Sequence, residues 1–491
     1  MPDGTAVSNF PVIMEPLLAE AGSPGKNGLM TPKPFDASIC SDPAFGSDLP
    51  ELPELSEVET VRHFTRLSRL NFGIDQGMYP LGSCTMKYNP KICEEIVRCT
   101  ANLHPADPEG IQIVLEWLLG LKRALADVCG MDDGCLWPAA GAHGELAGML
   151  IIREAIRRKG GIRSKVLIPD TAHGTNPASC SIAGFVTVNI PSGPDGYLRA
   201  SDLKAHLDEG VAALMITNPN TLGIFEREIM EIADMLHDNG SYLYMDGANL
   251  NAIMGIVRPG DVGVDCMHIN LHKTFGTPHG GGGPGSGPVL VKKDLSEYLP
   301  VPRIVIDDSG RPLLSDEFPG SIGMIHSCLG NVAVLLRAYA FCLSLGAEGL
   351  KEASIRACLN ANYLKARLSR IFDLPYKSPT MHEFVLSDRL QKASGTTTID
   401  MAKALMEYGF HPPTVYFPLV VAGAIMIEPT ESESLSELKR FADAMEAIAL
   451  ASGSSEQSLR ECPGSMPVKR VDEVWAARNL ILTWKDMNPT E

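Results

Sequence analysis

Lys273 stands just beyond a short apolar stretch, Cys266–Ile269, and is followed by the glycine-rich run Thr277–Gly287. A lysine delivered to a turn and flanked by residues without side chains can be approached closely by a planar electrophile, so its amine suits covalent chemistry with a carbonyl. Read alone, the stretch fits a solvated surface lysine beside a flexible linker equally well. Two other chemistries are excluded. A P-loop needs glycines where Met267 and His272 stand. Gly280, Gly282 and Gly285 satisfy the spacing of a dinucleotide fingerprint, but they enclose Pro284 and lead into an apolar strand pattern rather than the helix that motif requires.

Three further groups could work with such a lysine. Asp246 ends the apolar stretch Tyr242–Met245. His173 lies in a Gly-Thr-Asn-Pro turn after another apolar stretch, and Ala139–Glu145 is a run of small residues opening a helical pattern. A helix start with free N–H groups favours an anion such as phosphate. A buried aspartate can keep a pyridine nitrogen protonated, and an imidazole can stack on the ring. Taken singly each has a plain reading, a strand-end cap for Asp246, a satisfied core histidine for His173 and a tight helix cap for residues 141–145. Together, in this order, they suit pyridoxal phosphate, with Lys273 forming an imine with its aldehyde.

The elements that would position these groups alternate. Strands are expected at Lys165–Ile168, Phe185–Ile190, Ala212–Thr217, Tyr242–Met245, Cys266–Ile269 and Val289–Lys292, with helices between several of them. Short apolar strands separated by helices indicate a largely parallel sheet covered on both faces. In such sheets ligands lie beyond the strand C-termini, where His173, Asn218–Asn220, Asp246 and Lys273 all fall. Upstream, Ser56 and Glu59 form a capping box, residues 79–89 read as a polar loop, and Ile113, Val114, Trp117, Leu118, Leu121 and Leu125 mark a buried helix. Beyond Asn331 long helices (Val332–Leu345, Leu350–Phe372) join strands at Phe384–Leu386 and Ala424–Ile427, followed by helices at Ser434–Ala451 and Val471–Trp484. The expected organisation is an extended arm over residues 1–54, a large α/β domain over 55–330 and a smaller α+β domain with a helical extension over 331–491.

Composition limits the partners. A net charge of −17 argues against nucleic-acid or anionic-membrane binding, and no uninterrupted apolar run approaches the roughly 20 residues of a membrane span. The twelve cysteines include no C-x-x-C pair and the N-terminus has no signal-peptide pattern, so a reducing cytoplasm is expected. No metal-ligand spacing stands out.

The motifs Met78–Lys87, Gly141–Glu145, Asp170–Ala178, Thr217–Glu226, Tyr244–Asn251 and Asn270–Phe275 are long and specific. On them the chain, from about Leu55 onward, resembles the C-terminal half of the glycine cleavage system P-protein, which two-subunit bacterial glycine dehydrogenases (decarboxylating) carry as subunit 2. The resemblance implies a type I aminotransferase-like fold with pyridoxal 5'-phosphate as an imine on Lys273. It places Gly141, Ala142, His143, His173, Asn220, Asp246, Ala248 and His272 at the cofactor, with Asn220 as a donor to its phenolate. It also implies decarboxylation of glycine with transfer of the aminomethyl group to the lipoyl arm of H-protein. Single-chain members are about twice as long, so a subunit 1 is expected as partner, in a heterotetramer of two copies each. Residues orienting the glycine carboxylate are not identified by sequence; the 79–89 loop and Arg303 are candidates. Two other classes remain open, another type I enzyme such as a cysteine desulfurase using Cys328, and a non-catalytic scaffold paralogue.

Overall fold

In a computed structural model the chain is described at residues 15–26, 28, 52–104, 107, 109–452, 459–483 and 486. Most of the arm expected over residues 1–54 lies outside them. The chain forms two compact units, Met1–Gln76 with Glu461–Glu491, and Gly77–Arg460.

The larger unit is built on a seven-stranded sheet: β1 (Asp133–Cys135), β2 (Lys165–Pro169), β3 (Val186–Ile190), β4 (Val211–Thr217), β5 (Tyr242–Gly247), β6 (Cys266–Ile269) and β7 (Val289–Val291), in the order β1-β7-β6-β5-β4-β2-β3. The strands from β6 through β3 pair parallel, while β7 and β1 run antiparallel at one edge. Every residue of β4, β5 and β6 is buried, which is why their sequences are near-continuous apolar runs without alternation. The helix Gly141–Arg158 packs on β6. Gly148 makes that approach possible, because a side chain there would run into the Tyr244 ring.

A β8–β9 hairpin (Arg303–Ile306, Pro312–Ser315) follows. A small antiparallel sheet then joins β10 (Phe384–Ser387), β11 (Thr414–Val415) and β12 (Ala424–Ile427) in the order β10-β12-β11. Between hairpin and sheet runs the helical segment Val332–Leu368, broken at Gly346, whose φ of 62° and ψ of −175° are not helical. By length and composition this segment could cross a membrane, although Arg337 and Ser344 interrupt its apolar run. Here it packs on the helices Ile92–Arg98 and Gln112–Cys129 and buries Val334, Leu335, Leu336 and Phe341 in the core.

In the smaller unit the helix Glu57–Ser68 starts with the expected box, Glu59 N donating to Ser56 Oγ and Ser56 N to the Glu59 carboxylate. Within the span expected as helical over Val471–Trp484, the described residues form the helix Glu473–Arg478, and Trp484 lies outside them. Ile113, expected in the core, is exposed on the helix Gln112–Cys129, whose buried face is Val114, Leu115, Leu118, Leu121 and Leu125.

Candidate active site

Parallel pairing brings the C-terminal ends of β2, β4, β5 and β6 to one edge of the sheet. Asp246, at the end of β5, is 1% exposed. It accepts hydrogen bonds from Ala248 N (2.9 Å) and Asn176 Nδ2 (3.1 Å), and His268 Nε2 lies 3.2 Å away. The Tyr244 hydroxyl bonds His268 Nδ1 at 2.8 Å, leaving Nε2 as the nitrogen that faces Asp246. Burial alone would raise the Asp246 pKa, but His268, Lys273, the Ala248 N–H and Asn176 outweigh it and hold this carboxyl below the ordinary aspartate range. A buried carboxylate charged at neutral pH is therefore available at the strand end.

Lys273 follows β6 in the short helix Leu271–Thr274. No side-chain hydrogen bond or ion pair engages its amine among the described residues. His173 lies beside the turn after β2, its Nδ1 2.8 Å from Thr175 Oγ1, which donates to Glu145. Burial lowers its pKa, with Asp246, Lys273, Glu145 and His268 as the neighbouring charges. The structure thus gathers Lys273, Asp246 and His173. It adds Glu145, His268 and Asn176, which sequence reasoning did not single out.

The wall around the lysine is polar and unsatisfied. Asn270 Oδ1, Thr274 Oγ1, Thr277 Oγ1, His279 Nε2 and Ser286 Oγ are buried without a partner among the described residues. Buried polar groups are normally hydrogen-bonded, so a wall of this kind is shaped for a polar guest. It adjoins the start of the helix Gly141–Arg158: a Cβ on Gly141 would lie 2.6 Å from Asn270 Nδ2, and one on Gly287 would strike Ala140 O. The first N–H groups of that helix, at Gly141, Ala142 and His143, have no intrahelical acceptor, and the helix dipole favours an anion there. His143 Nδ1 accepts from Ala139 N at 3.2 Å and so folds back on the helix start. His272 Nδ1 accepts from Ser286 N, and burial, then the neighbouring His279 and Lys273, push its pKa down to about 3. In charge and donor set these residues fit pyridoxal phosphate: free helix N–H groups, a buried carboxylate and a lysine amine.

Two expectations are corrected. Asn220 spends both N–H groups on Gly196 O (2.7 Å) and Glu226 Oε1 (2.9 Å), while its oxygen accepts from Leu222 N and Ile224 N. It holds the turn after β4 and has no donor left for a cofactor phenolate. Arg303 donates to Glu297 O and Leu299 O and lies on the Phe318 ring at 4.0 Å. The acidic groups beside it are Asp133 and Glu297, with the buried Cys135 thiol, so it does not address the lysine. Cys328 is exposed, in a left-handed backbone turn ahead of the long helical segment.

The residues 79–89 loop does reach the lysine. Lys87 donates to Thr274 O (2.8 Å), beside Lys273, and to Asn251 Oδ1 (2.6 Å), and it pairs with Glu431. Ser83 and Thr85 are bound by two buried carboxyls, Glu383 and Glu428, from the small sheet.

Residues 353–459 match the family model described as glycine dehydrogenase, C-terminal domain. The protein named probable glycine dehydrogenase (decarboxylating) subunit 2 from Chloroherpeton thalassium is 50% identical over 480 residues, covering 95% of this chain and 97% of that one. Among solved structures, the glycine decarboxylase (P-protein) of the glycine cleavage system, in inhibitor-bound form, superposes with a TM-score of 0.69 at 22% identity, over 84% of this chain and 92% of that one. A C-DES mutant with glycine covalently linked to its PLP cofactor gives 0.59 at 16% identity, over 76% and 96%. The fold is therefore that of the PLP-dependent type I enzymes, and the extent of identity to its relative decides the rest: this chain belongs to the family of glycine dehydrogenase (decarboxylating) subunit 2.

Proposed function

We propose that this chain binds pyridoxal 5'-phosphate with Lys273 as its covalent anchor and decarboxylates glycine, passing the aminomethyl group to the lipoyl arm of an H-protein. The observation that carries this reading is the meeting of an unengaged lysine amine with a buried, charged Asp246 and an unsatisfied polar wall at one set of strand ends. Family membership supports it independently.

When bound, the cofactor supplies an electron sink for the pair released as CO2 leaves. The residues of this chain make that sink effective. Asp246, held by Ala248 N, Asn176 and His268, keeps a proton on the ring nitrogen. The N–H groups at Gly141, Ala142 and His143 would hold the phosphate, and the amine of Lys273 would be the group that anchors the aldehyde carbon. His173, steadied by Thr175 and Glu145, would cover the ring. The loop pinned by Lys87 closes the side of the site next to the lysine.

Assembly is part of the proposal. A subunit 1 completes the site in a cytoplasmic heterotetramer of two copies each, and lipoylated H-protein accepts the product. Borohydride treatment of the purified chain with cofactor should fix a pyridoxyl group on Lys273, read by peptide mass mapping. Exchange of labelled CO2 into glycine should then require this chain, subunit 1 and H-protein together. A label on another lysine would overturn the anchor. Full activity without subunit 1 would overturn the assembly.

A further inference from the structure

The ladder between β10 and β12 pairs Phe384 with Ile427. One step outward, Glu383 and Glu428 face each other, both 0% exposed. Like charges directly opposed on a ladder repel, and a buried carboxylate without compensation is costly. Nothing on the small sheet cancels them. His382, also 0% exposed, has its Nε2 3.7 Å from Glu428 Oε1 and 4.0 Å from Glu383 Oε1, too far for hydrogen bonds, and neither ring nitrogen has a partner among the described residues. Burial, then Lys273 and Lys87, push this imidazole's pKa down to about 3, so it brings no positive charge.

What the two carboxyls do hold is a loop. Glu428 accepts Thr85 N on one oxygen (2.9 Å) and Thr85 Oγ1 on the other (2.6 Å). Glu383 accepts Ser83 N on Oε2 at 2.7 Å, while its Oε1 has only long contacts, Ser83 Oγ at 3.3 Å and Asn249 Nδ2 at 3.4 Å. Ser83 and Thr85 have φ of 60° and 48°, a left-handed backbone that non-glycine residues keep only where the surroundings enforce it. The loop is also tied by Thr414 Oγ1 donating to Gly82 O (2.8 Å), and at its far end by Lys87 beside Lys273.

The two donor patterns differ in strength: Glu428 accepts short bonds on both oxygens, as a carboxylate does, whereas Glu383 Oε1 meets only the two long contacts and is the oxygen that can carry a proton, with Ser83 Oγ able to accept it. We propose that Glu383 is kept as a neutral carboxylic acid and Glu428 as a carboxylate, and that this unlike pair positions the Gly82–Lys87 loop beside Lys273. The titratable groups facing the pair are His382 next to it, Cys84 and Lys87 on the loop, Lys273 across the site, and Glu431, which is bound to Lys87. Burial, then the neighbouring Glu428, push the Glu383 pKa well up, while burial also raises that of Glu428, opposed there by the two Thr85 bonds and the charges of Lys273 and Lys87, so the first proton goes to Glu383. The loop assignment stands without the cofactor; its consequence for catalysis rests on the reading of Lys273 given above.

Glutamine imitates the acid but not the carboxylate, so the two isosteric variants should diverge. In the full chain without cofactor, Glu383→Gln should keep hydrogen-exchange protection of residues 82–87, because its carbonyl still accepts Ser83 N. Glu428→Gln must turn its NH2 toward one of the Thr85 donors and should lose protection by about tenfold or more. Infrared spectra at about pH 9, above the range in which the buried Glu226 and Glu433 ionise, should show a protonated-carboxyl stretch that disappears in Glu383→Gln, a readout that serves even if Glu428→Gln does not fold. Equal loss of protection in both variants, wild-type protection in Glu428→Gln, or an infrared band unchanged by Glu383→Gln would overturn the proposal. So would a stoichiometric metal ion in the purified protein that Glu383→Gln abolishes, since a cation would then balance both charges. Borohydride labelling run in parallel separates the two readings, because failure of the label leaves the exchange pattern untouched.

Discussion

Asp246 and Glu383 are both buried carboxyls that feel Lys273, yet they shift in opposite directions, Asp246 below its usual range and Glu383 well above. Burial is common to both and cannot be the difference. At the end of β5, a backbone N–H, an amide and an imidazole converge on one carboxylate. At the end of the small sheet, a second carboxyl occupies the position where such partners would stand. A charge is stabilised where the fold delivers donors and lost where it delivers a like charge. The large sheet is therefore suited to holding a charge for chemistry, and the small sheet to holding a loop.

The largest expected effect breaks the comparison at its shared cation. Lys273→Ala should abolish covalent cofactor attachment and lower glycine decarboxylation by roughly 10³-fold or more. In the cofactor-free chain it should leave the thermal midpoint little changed, because no side-chain hydrogen bond or ion pair engages that amine among the described residues. Turnover within tenfold of wild type, assayed with both partners, would remove Lys273 from the mechanism. Next in size is Asp246→Asn. Its amide must present N–H to one of three donors, so about 1–3 kcal/mol of stability should go with it. Decarboxylation should fall by roughly 10²–10³-fold while cofactor absorbance persists, since the ring nitrogen loses its anionic partner. Parallel melting and turnover measurements keep the structural and chemical losses apart, and an active variant would place the electron-sink role elsewhere.

The two regions also differ in how far they can be read from sequence. Lys273, Asp246 and His173 each follow an apolar stretch, and the rule that ligands gather at strand C-termini brings them together before any coordinates exist. The acid pair has no such signal. His382-Glu383 and Glu428 are ordinary polar residues bordering apolar strands, and only the ladder register sets the two carboxyls face to face. Asn220 departs from expectation for a related reason: its place after β4 points to a ligand contact, but its side chain is consumed by the turn it closes. Position along a strand is visible in one sequence. Which hydrogen bonds a side chain has already spent is not. The true buried face of the helix Gln112–Cys129 likewise depends on what packs against it, whereas the break at Gly346 falls where the sequence already separates the helices Val332–Leu345 and Leu350–Phe372.

The smallest effect uses a third buried carboxyl as a reference, one with donors but no cation. Glu226, 0% exposed, accepts from Asn220 Nδ2 (2.9 Å) and Leu198 N (2.8 Å). Burial outweighs these two bonds and raises its pKa from 4.5 to about 7. Because the folded-state value lies above the unfolded one, the stability this group contributes is complete below about pH 4.5 and is lost as pH rises through about 7. The whole change is on the order of 3 kcal/mol. Glu226→Gln is neutral throughout and should lose one acceptor bond, about 1 kcal/mol, at every pH. Its melting temperature should therefore start below that of the wild type at acid pH, gain on it as pH approaches 7, and run parallel to it above. If the two curves are parallel from pH 4.5 to 7, two neutral donors suffice to hold a buried carboxylate charged here, and the contrast between Asp246 and Glu383 cannot rest on a nearby cation or imidazole.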